Sequence, residues 1–329
     1  ANGTLGGAAE AGACVPAPKG SAWGWMKFAT KLHALLSTAR IANVPSVVSN
    51  LGVGVLLGSI GAGPDFSWPW LLSLAAILFY ISGNFLNDWA DCEWDKSKRP
   101  ERALPQGLFP KPAYLATTIA GAVIGLALTA AYGLWALFVA AVLVWLIWLY
   151  TKVHKKAAWS VIPMGLCRAC LPLLGYVAMR GSFAGAALFP AVALFIYIVA
   201  LSLSARWESR PEVPDTMKLR SRALLAGAGV TAAVLPILLS PPLGWIGLLP
   251  FGIWLALCLT KFAAPVPVHV SALLAGIPLL DWVMLLPMAF LWLRQGRVDA
   301  SDPMFLIALL MPPTAFVLGR AMQRLAPAT

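Results

Sequence analysis

The chain has 329 residues, of which 60% are hydrophobic and only 11% are charged, and its formal net charge is +11. A soluble domain carries about 25% charged residues, so this composition excludes an ordinary water-soluble fold. The sequence predicts a polytopic integral membrane protein. In such a protein the positive charge faces anionic membrane lipid, and we expect no nucleic-acid partner.

The N-terminal part of the chain precedes the first long apolar block. Residues 1–20 are rich in glycine, alanine and proline, and we expect a flexible tail there. Over residues 21–39, bulky apolar residues mix with Lys27, Lys31 and His33. This mixture predicts an amphipathic helix that lies along the membrane interface. Residues 40–329 are expected to form one transmembrane bundle.

Ten apolar blocks in this bundle are long enough to cross the membrane as helices, which takes about 20 residues. They lack the alternation of a lipid-facing β-barrel, so the predicted fold class is all-α. The predicted spans cover residues 41–60, 69–87, 113–132, 134–150, 160–179, 187–205, 222–239, 243–260, 269–293 and 303–320.

Lysine and arginine are distributed unevenly between the two sides of these spans. If the N-terminus is cytoplasmic, the cytoplasmic segments hold 20 of the 24 basic residues and the opposite loops hold three. Basic residues collect on the cytoplasmic side of membrane proteins. The pattern therefore predicts that the N-terminus, and the acidic stretches described next, lie on that side.

Acidic residues concentrate in two stretches, after the second and the sixth span. In the first stretch, two amides and three carboxylates fall on one helical face, whereas Glu93 points the opposite way. The residues on this face are Asn84, Asn87, Asp88, Asp91 and Asp95. Mg²⁺ binds through one or two carboxylates together with phosphate oxygens and waters, so the face predicts a magnesium site. The alternative is a solvated helix end that only fixes topology.

Three segments resemble one known family. NDWADCEWD is similar to the NDxxDxxxD motif of the UbiA superfamily of intramembrane prenyltransferases, and RPERALPQG resembles the RPxRPLPxG loop that follows that motif. Residues 150–176 resemble the family's YSxxLKR segment and the glycine-rich helix after it. The family has a nine-helix core, so the resemblance implies that the tenth span is a C-terminal addition. Within the superfamily, the MGLCRA segment and the Arg-Pro-Glu-Arg loop look most like the EboC-like branch.

The resemblance implies a reaction. Such enzymes bind a prenyl diphosphate through Mg²⁺, ionise the allylic C–O bond, and pass the prenyl group to an aromatic or other lipophilic acceptor. One alternative is a non-catalytic UbiA-like protein that binds or translocates a lipid phosphate or a hydrophobic metabolite. Another is a structural subunit of a larger membrane complex.

The same resemblance implies roles for individual residues. The implied metal ligands are Asp88, Asp91 and Asp95, with Glu208 and Glu212 in the second acidic stretch. The implied catalytic residues are Asp88, Asp91 and Lys155. The residues expected to bind the diphosphate are Asn84, Asn87, Arg99, Arg102, Lys155, Arg168 and Arg206.

The sequence itself bears on two of these assignments, Arg168 and the second acidic stretch. Arg168 is a lone charge inside a span, which makes it a functional candidate, or else the structural partner of Asp281 or Glu208. The second acidic stretch, LSARWESRPEVPD, departs from the family pattern because Pro211 lies between Glu208 and Glu212 and breaks helical register. We therefore expect the second metal site to be weaker than the first, or absent.

Overall fold

The computed structural model describes residues 21–60, 66–155, 157–206 and 214–325. Over these ranges the chain forms eleven α-helices and no strand, which confirms the all-α prediction. The helices are α1 (Ser21–Thr38), α2 (Val44–Ser59), α3 (Trp70–Lys98), α4 (Lys111–Ala130), α5 (Leu134–Val153), α6 (Val161–Arg180), α7 (Leu188–Ala205), α8 (Asp215–Leu239), α9 (Pro241–Leu259), α10 (Val266–Arg294) and α11 (Pro303–Met322).

Helices α2 to α11 are each long and apolar enough to cross a membrane, and each matches one predicted span. The chain is an integral multi-pass membrane protein. Two helices extend past the predicted spans: α3 continues through the predicted acidic face to Lys98, beyond the span end at 87, and α8 begins at Asp215, before the span start at 222. Both extensions are charged, so a search for apolar residues stops before the helix does.

The two helices that flank the predicted nine-helix core are also present. A helix over residues 21–38 matches the expected interfacial segment, and it contacts α3. Its position along the membrane interface stays a prediction. The tenth span is α11, which packs against α10 and α2.

Helices α2 and α10 form the centre of the bundle, because they bury most of their surface inside the protein. The tightest crossing joins α2 to α6. A Cβ atom on Gly54 would overlap the carbonyl oxygen of Pro172, and one on Gly175 would overlap that of Leu51. Small residues at such a crossing let two backbones approach closely, which is a common way to pack membrane helices.

Several helices bring polar side chains to the same end of the bundle. The C-termini of α3, α5 and α7 meet the N-termini of α2, α6 and α10 there. We call this the polar end, marked by Arg40, Asp91, His154, Arg206 and Pro267. The first predicted acidic stretch lies at this end, on the last three turns of α3.

Candidate functional site

A cavity of about 470 Å³ extends from the polar end into the bundle. Its walls come from α3, α5, α6, α7 and α10, together with the segment that precedes α2. Charged and amide side chains line one part of it, among them Arg40, Asn84, Asn87, Asp91, Arg102 and His154. Apolar side chains line the rest, among them Ala76, Phe79, Leu143, Ile147, Leu171 and Ile198. Such a cavity fits a ligand with a charged head and an apolar tail.

The helical face predicted from the sequence is confirmed. Asn84, Asn87, Asp88, Asp91 and Asp95 are all buried. Glu93 lies on the opposite face, where 72% of its side chain is exposed and Lys96 is its ion-pair partner. Four acids and two amides of one helix thus lie in two different environments. Of the buried set, Asn84, Asn87, Asp91 and Asp95 line the cavity, whereas Asp88 does not.

Arg102 bridges two of these buried acids. Its Nη1 donates to Asp88 Oδ1 at 3.2 Å and to Asp95 Oδ2 at 2.8 Å. Burial disfavours the charged guanidinium, but the carboxylates of Asp88 and Asp95 outweigh burial, so the pKa of Arg102 lies above its ordinary value. The loop after α3 therefore folds back over the acidic face.

The third acid, Asp91, is held by α5 and the residues that follow it. Lys155 Nζ lies 2.9 Å from Asp91 Oδ1, and His154 Nε2 lies 3.0 Å from Asp91 Oδ2. The other ring nitrogen of His154 is 3.0 Å from the carbonyl oxygen of Thr151. The ammonium of Lys155 also sits 3.7 Å from the centre of the Trp94 ring. Two basic side chains thus hold Asp91 at the wall of the cavity, and the Trp94 ring in turn contacts Lys155.

Arg40 and His154 are two residues of this site that sequence reasoning missed. Arg40 Nη1 donates to Asn84 Oδ1 at 3.0 Å, and its Nη2 lies 3.9 Å from Asp88 Oδ1. Its backbone is left-handed, at φ 46°, which is uncommon for a residue other than glycine. The available signals were the position of Arg40 just before the first span and that of His154 beside Lys155. Neither sequence position by itself predicts a contact with α3.

The acidic face fits a divalent cation bound together with a phosphorylated ligand. Asn87 Oδ1 and Asp95 Oδ1 are buried and have no hydrogen-bond partner within the described ranges. In the same ranges no three His, Cys, Asp or Glu side chains converge into a complete ligand set. Mg²⁺ takes only one or two carboxylates and completes its shell with substrate phosphate and water, so a complete protein cage is not required.

The remaining predicted residues fall into three groups. Arg99 and Arg206 line the cavity, and Arg206 Nη2 donates to Ser160 Oγ at 2.7 Å. Arg168 also lines the cavity, but its Nη1 donates to Ser46 Oγ and Asn50 Oδ1 on α2. Glu208 and Glu212 lie outside the described residues, so the second metal site stays a prediction.

Residues 48–311 match the model of the UbiA prenyltransferase family. A digeranylgeranylglyceryl phosphate synthase of Thermococcus kodakarensis is 28% identical over 225 residues, which covers 60% of this chain and 76% of that protein. A synthase of the same name from Pyrococcus abyssi is 31% identical over 131 residues, or 39% of this chain and 42% of that protein. A solved UbiA homolog from Aeropyrum pernix K1 has the same fold, with a TM-score of 0.51 and 17% identity over 84% of this chain and 98% of that one. Because the family model spans most of the bundle, the chain belongs to the UbiA prenyltransferase family.

Proposed function

We propose that the protein transfers a prenyl group from a prenyl diphosphate to a lipophilic acceptor in a Mg²⁺-dependent reaction within the membrane. The cavity carries this proposal, because it joins a polar, charged part to an apolar part. Membership of a prenyltransferase family supports it. The branch within that family, EboC-like or another, stays a prediction.

The acidic face of α3 and the basic residues around it would bind the diphosphate. Asp88, Asp91 and Asp95 are the proposed carboxylate ligands, with the unpartnered Asn87 Oδ1 beside them. Bound Mg²⁺ would offset the charge of the diphosphate as it leaves. The proposed phosphate contacts are Asn84, Arg99, Arg102, Lys155 and Arg206, to which the structure adds Arg40 and His154. Arginine suits this role because its planar fork binds phosphate oxygens in pairs.

The apolar part of the cavity would hold the prenyl chain. Along α3, Asp91 and Ala76 both line it and are 15 residues apart, which corresponds to about 22 Å of helix. In the reaction the allylic C–O bond breaks and pyrophosphate leaves with the electron pair. The acceptor forms the new bond and loses a proton. Apolar walls such as Phe79 and Leu143 exclude water, which would otherwise capture the allylic cation.

The acceptor is proposed from the relatives. Those from Thermococcus kodakarensis and Pyrococcus abyssi are named as synthases of digeranylgeranylglyceryl phosphate, which makes an isoprenoid glyceryl phosphate one acceptor to test. An aromatic acceptor is the other class that the resemblance implies.

The pairing of acids with arginine favours a second candidate, a UbiA-like protein that binds or moves a lipid phosphate without reacting with it. Arg102 pairs with both Asp88 and Asp95, and Lys155 pairs with Asp91, so all three carboxylates already have a cationic partner. In that case the cavity would bind a prenyl diphosphate, but no pyrophosphate would form.

Release of pyrophosphate separates the two candidates. Purified protein in lipid nanodiscs is given geranylgeranyl diphosphate and an acceptor of either class, with and without Mg²⁺. Prenyl transfer predicts Mg²⁺-dependent pyrophosphate release that Asp91→Asn removes and that Glu93→Gln leaves intact. Tight binding of the diphosphate with no release under any of these conditions would support the non-catalytic candidate.

A further inference from the structure

A chain of polar side chains crosses the centre of the bundle, deeper than the acidic face. Asp281 of α10 is fully enclosed, and its Oδ2 accepts hydrogen bonds from Ser49 Oγ at 2.6 Å and Asn50 Nδ2 at 2.7 Å. The other end of the Asn50 amide, Oδ1, accepts from Arg168 Nη1 at 3.0 Å. Asp281, Asn50 and Arg168 therefore form a relay of hydrogen bonds from α10 through α2 to α6. Ser46 Oγ, which accepts from the same Nη1 at 3.1 Å, completes it.

Only the Arg168 end of this relay reaches the cavity, because Arg168 lines it whereas Asn50 and Asp281 do not. The guanidinium carbon lies 5.4 Å from the centre of the Tyr80 ring. Tyr80 is 11 residues before Asp91 on α3, about three helical turns or 16 Å along the axis. Arg168 has no hydrogen bond or ion pair with Asp88, Asp91 or Asp95 in the described ranges, and its own hydrogen bonds tie the guanidinium to α2 instead.

Arg168 keeps donors for a ligand. Both of its hydrogen bonds use Nη1, and its Nε and Nη2 have no hydrogen-bond partner in the part of the chain that the structure describes. Neither Nε nor Nη2 is among the fully buried unpartnered atoms of the described ranges, so both atoms keep some accessible surface. Charged N–H groups in a largely apolar cavity bind anionic oxygens strongly, and a guanidinium binds phosphate or carboxylate through two parallel hydrogen bonds.

We propose that Arg168 binds an anionic oxygen group, phosphate or carboxylate, on the prenyl acceptor, and that Asn50 and Asp281 are positioning residues that hold Arg168 in place. The proposal rests on the proposed prenyl transfer and names the class of its acceptor. It places the acceptor's anion at Arg168 and the donor's diphosphate at the acidic face, so that the two anionic groups bind at separate places in one cavity.

The positioning role follows from the two ends of the Asn50 amide. An amide can rotate by half a turn and exchange its donor and acceptor ends. With Asp281 in place, Nδ2 must face the carboxylate, which leaves Oδ1 facing Arg168. Asp281 does not hydrogen-bond to Arg168 in the described ranges, so it acts through Asn50.

Two matched pairs of acceptors test the proposal and distinguish the source of the anion. One pair is geranylgeranylglyceryl phosphate and geranylgeranylglycerol, and the other is 4-hydroxybenzoate and its methyl ester. Each pair is assayed for KM and kcat with geranylgeranyl diphosphate and Mg²⁺. The wild-type protein should prefer the anionic member of at least one pair.

Arg168→Lys keeps the charge and loses the planar fork. We expect it to raise KM for the preferred anionic acceptor about tenfold or more, because hydrogen bonds to charged groups carry that much affinity. KM for the neutral member and the Kd of a geranylgeranyl thiodiphosphate donor analogue should stay unchanged. Arg180→Lys is the matched control, since Arg180 lies on the same helix and, among the residues that the structure describes, its hydrogen bond goes to the carbonyl oxygen of Ile60.

Asp281→Asn should lower the anion preference in the same direction, with the donor Kd unchanged. A purely structural role would instead lower turnover of both members of a pair equally. Equilibrium binding of the same four acceptors to wild type and Arg168→Lys gives the comparison without turnover.

Three results would overturn the proposal. A wild-type protein that turns over both members of each pair equally has no anion site. If Arg168→Lys raised the Kd of the donor analogue more than it raised the KM or Kd of the anionic acceptors, Arg168 would be assigned to the diphosphate site instead. Equal binding of anionic and neutral acceptors would reject the site even if no acceptor were turned over, whereas absent turnover with selective binding would reject only the proposed reaction.

Discussion

Asp91 and Glu93 are acids two positions apart on α3, and we expect their substitutions to differ sharply in effect. Asp91 is buried and holds Lys155 and His154 at 2.9 and 3.0 Å, whereas Glu93 faces away from the cavity and pairs with Lys96. Asp91→Asn removes the charge with almost no change in volume. It should weaken Mg²⁺-dependent binding of a prenyl diphosphate, and Glu93→Gln should not.

The size of the effect can be estimated from the contacts. Loss of a residue that only supports a metal ligand costs about 10–100-fold in metal affinity, so loss of a ligand's own charge should cost at least about 100-fold, or roughly 2.7 kcal/mol. Asp91→Asn also weakens two charge-assisted hydrogen bonds that orient Lys155 and His154. For Glu93→Gln we expect a change within about twofold, because an exposed ion pair contributes little.

The assay is equilibrium binding of geranylgeranyl thiodiphosphate to protein in nanodiscs over a Mg²⁺ titration. Melting temperatures measured without ligand show whether each variant is folded. Equal losses in Asp91→Asn and Glu93→Gln would refute the helical-face argument and indicate a diffuse negative patch. Unchanged binding in both variants would refute the assignment of Asp91 to the metal site.

Three further predictions concern packing, cation placement and topology. Gly54→Ala should lower the melting temperature, because overpacking a tight crossing costs about 1–3 kcal/mol, whereas Gly227→Ala, whose new Cβ meets open space, should not. Trp94→Leu should weaken donor binding a few-fold without unfolding the protein, because it removes the ring beneath Lys155, and the same binding assay measures this. Cysteines replacing Lys96 and Arg297 should be labelled from opposite sides of the membrane in intact cells, with Lys96 cytoplasmic; labelling from the same side would contradict the predicted orientation.

Much of the fold can be predicted from the sequence, because each membrane span has to supply its own apolar surface. Ten apolar blocks predict ten spans, and the helical period predicts that Asp91 and Asp95 turn inward while Glu93 turns outward. These are local properties of a single helix. Hydropathy alone ends the second span near residue 87, because the last turns of α3, up to Lys98, are charged; only the spacing of the acids indicates that the helix continues.

The contacts that complete the site join residues that are distant in sequence. Arg40 meets Asn84 across 44 positions, and His154 meets Asp91 across 63. Pairings of this kind depend on how α2, α3 and α5 pack, which no spacing rule in one segment describes. The position of Arg168 is the clearest case. Its place inside a span predicts a function or a buried partner, but only the packing of α2 against α6 and α10 shows that Asn50 lies between it and Asp281.

The central claim is that this cavity carries out prenyl transfer, and the most direct measurement follows both products of one reaction. Protein in nanodiscs is incubated with geranylgeranyl diphosphate, Mg²⁺ and the preferred acceptor, and pyrophosphate and prenylated acceptor are quantified together. We predict that they appear in equal amounts, that neither forms without Mg²⁺, and that Asp91→Asn abolishes both. Pyrophosphate without prenylated acceptor, or neither product despite tight donor binding, would contradict the account.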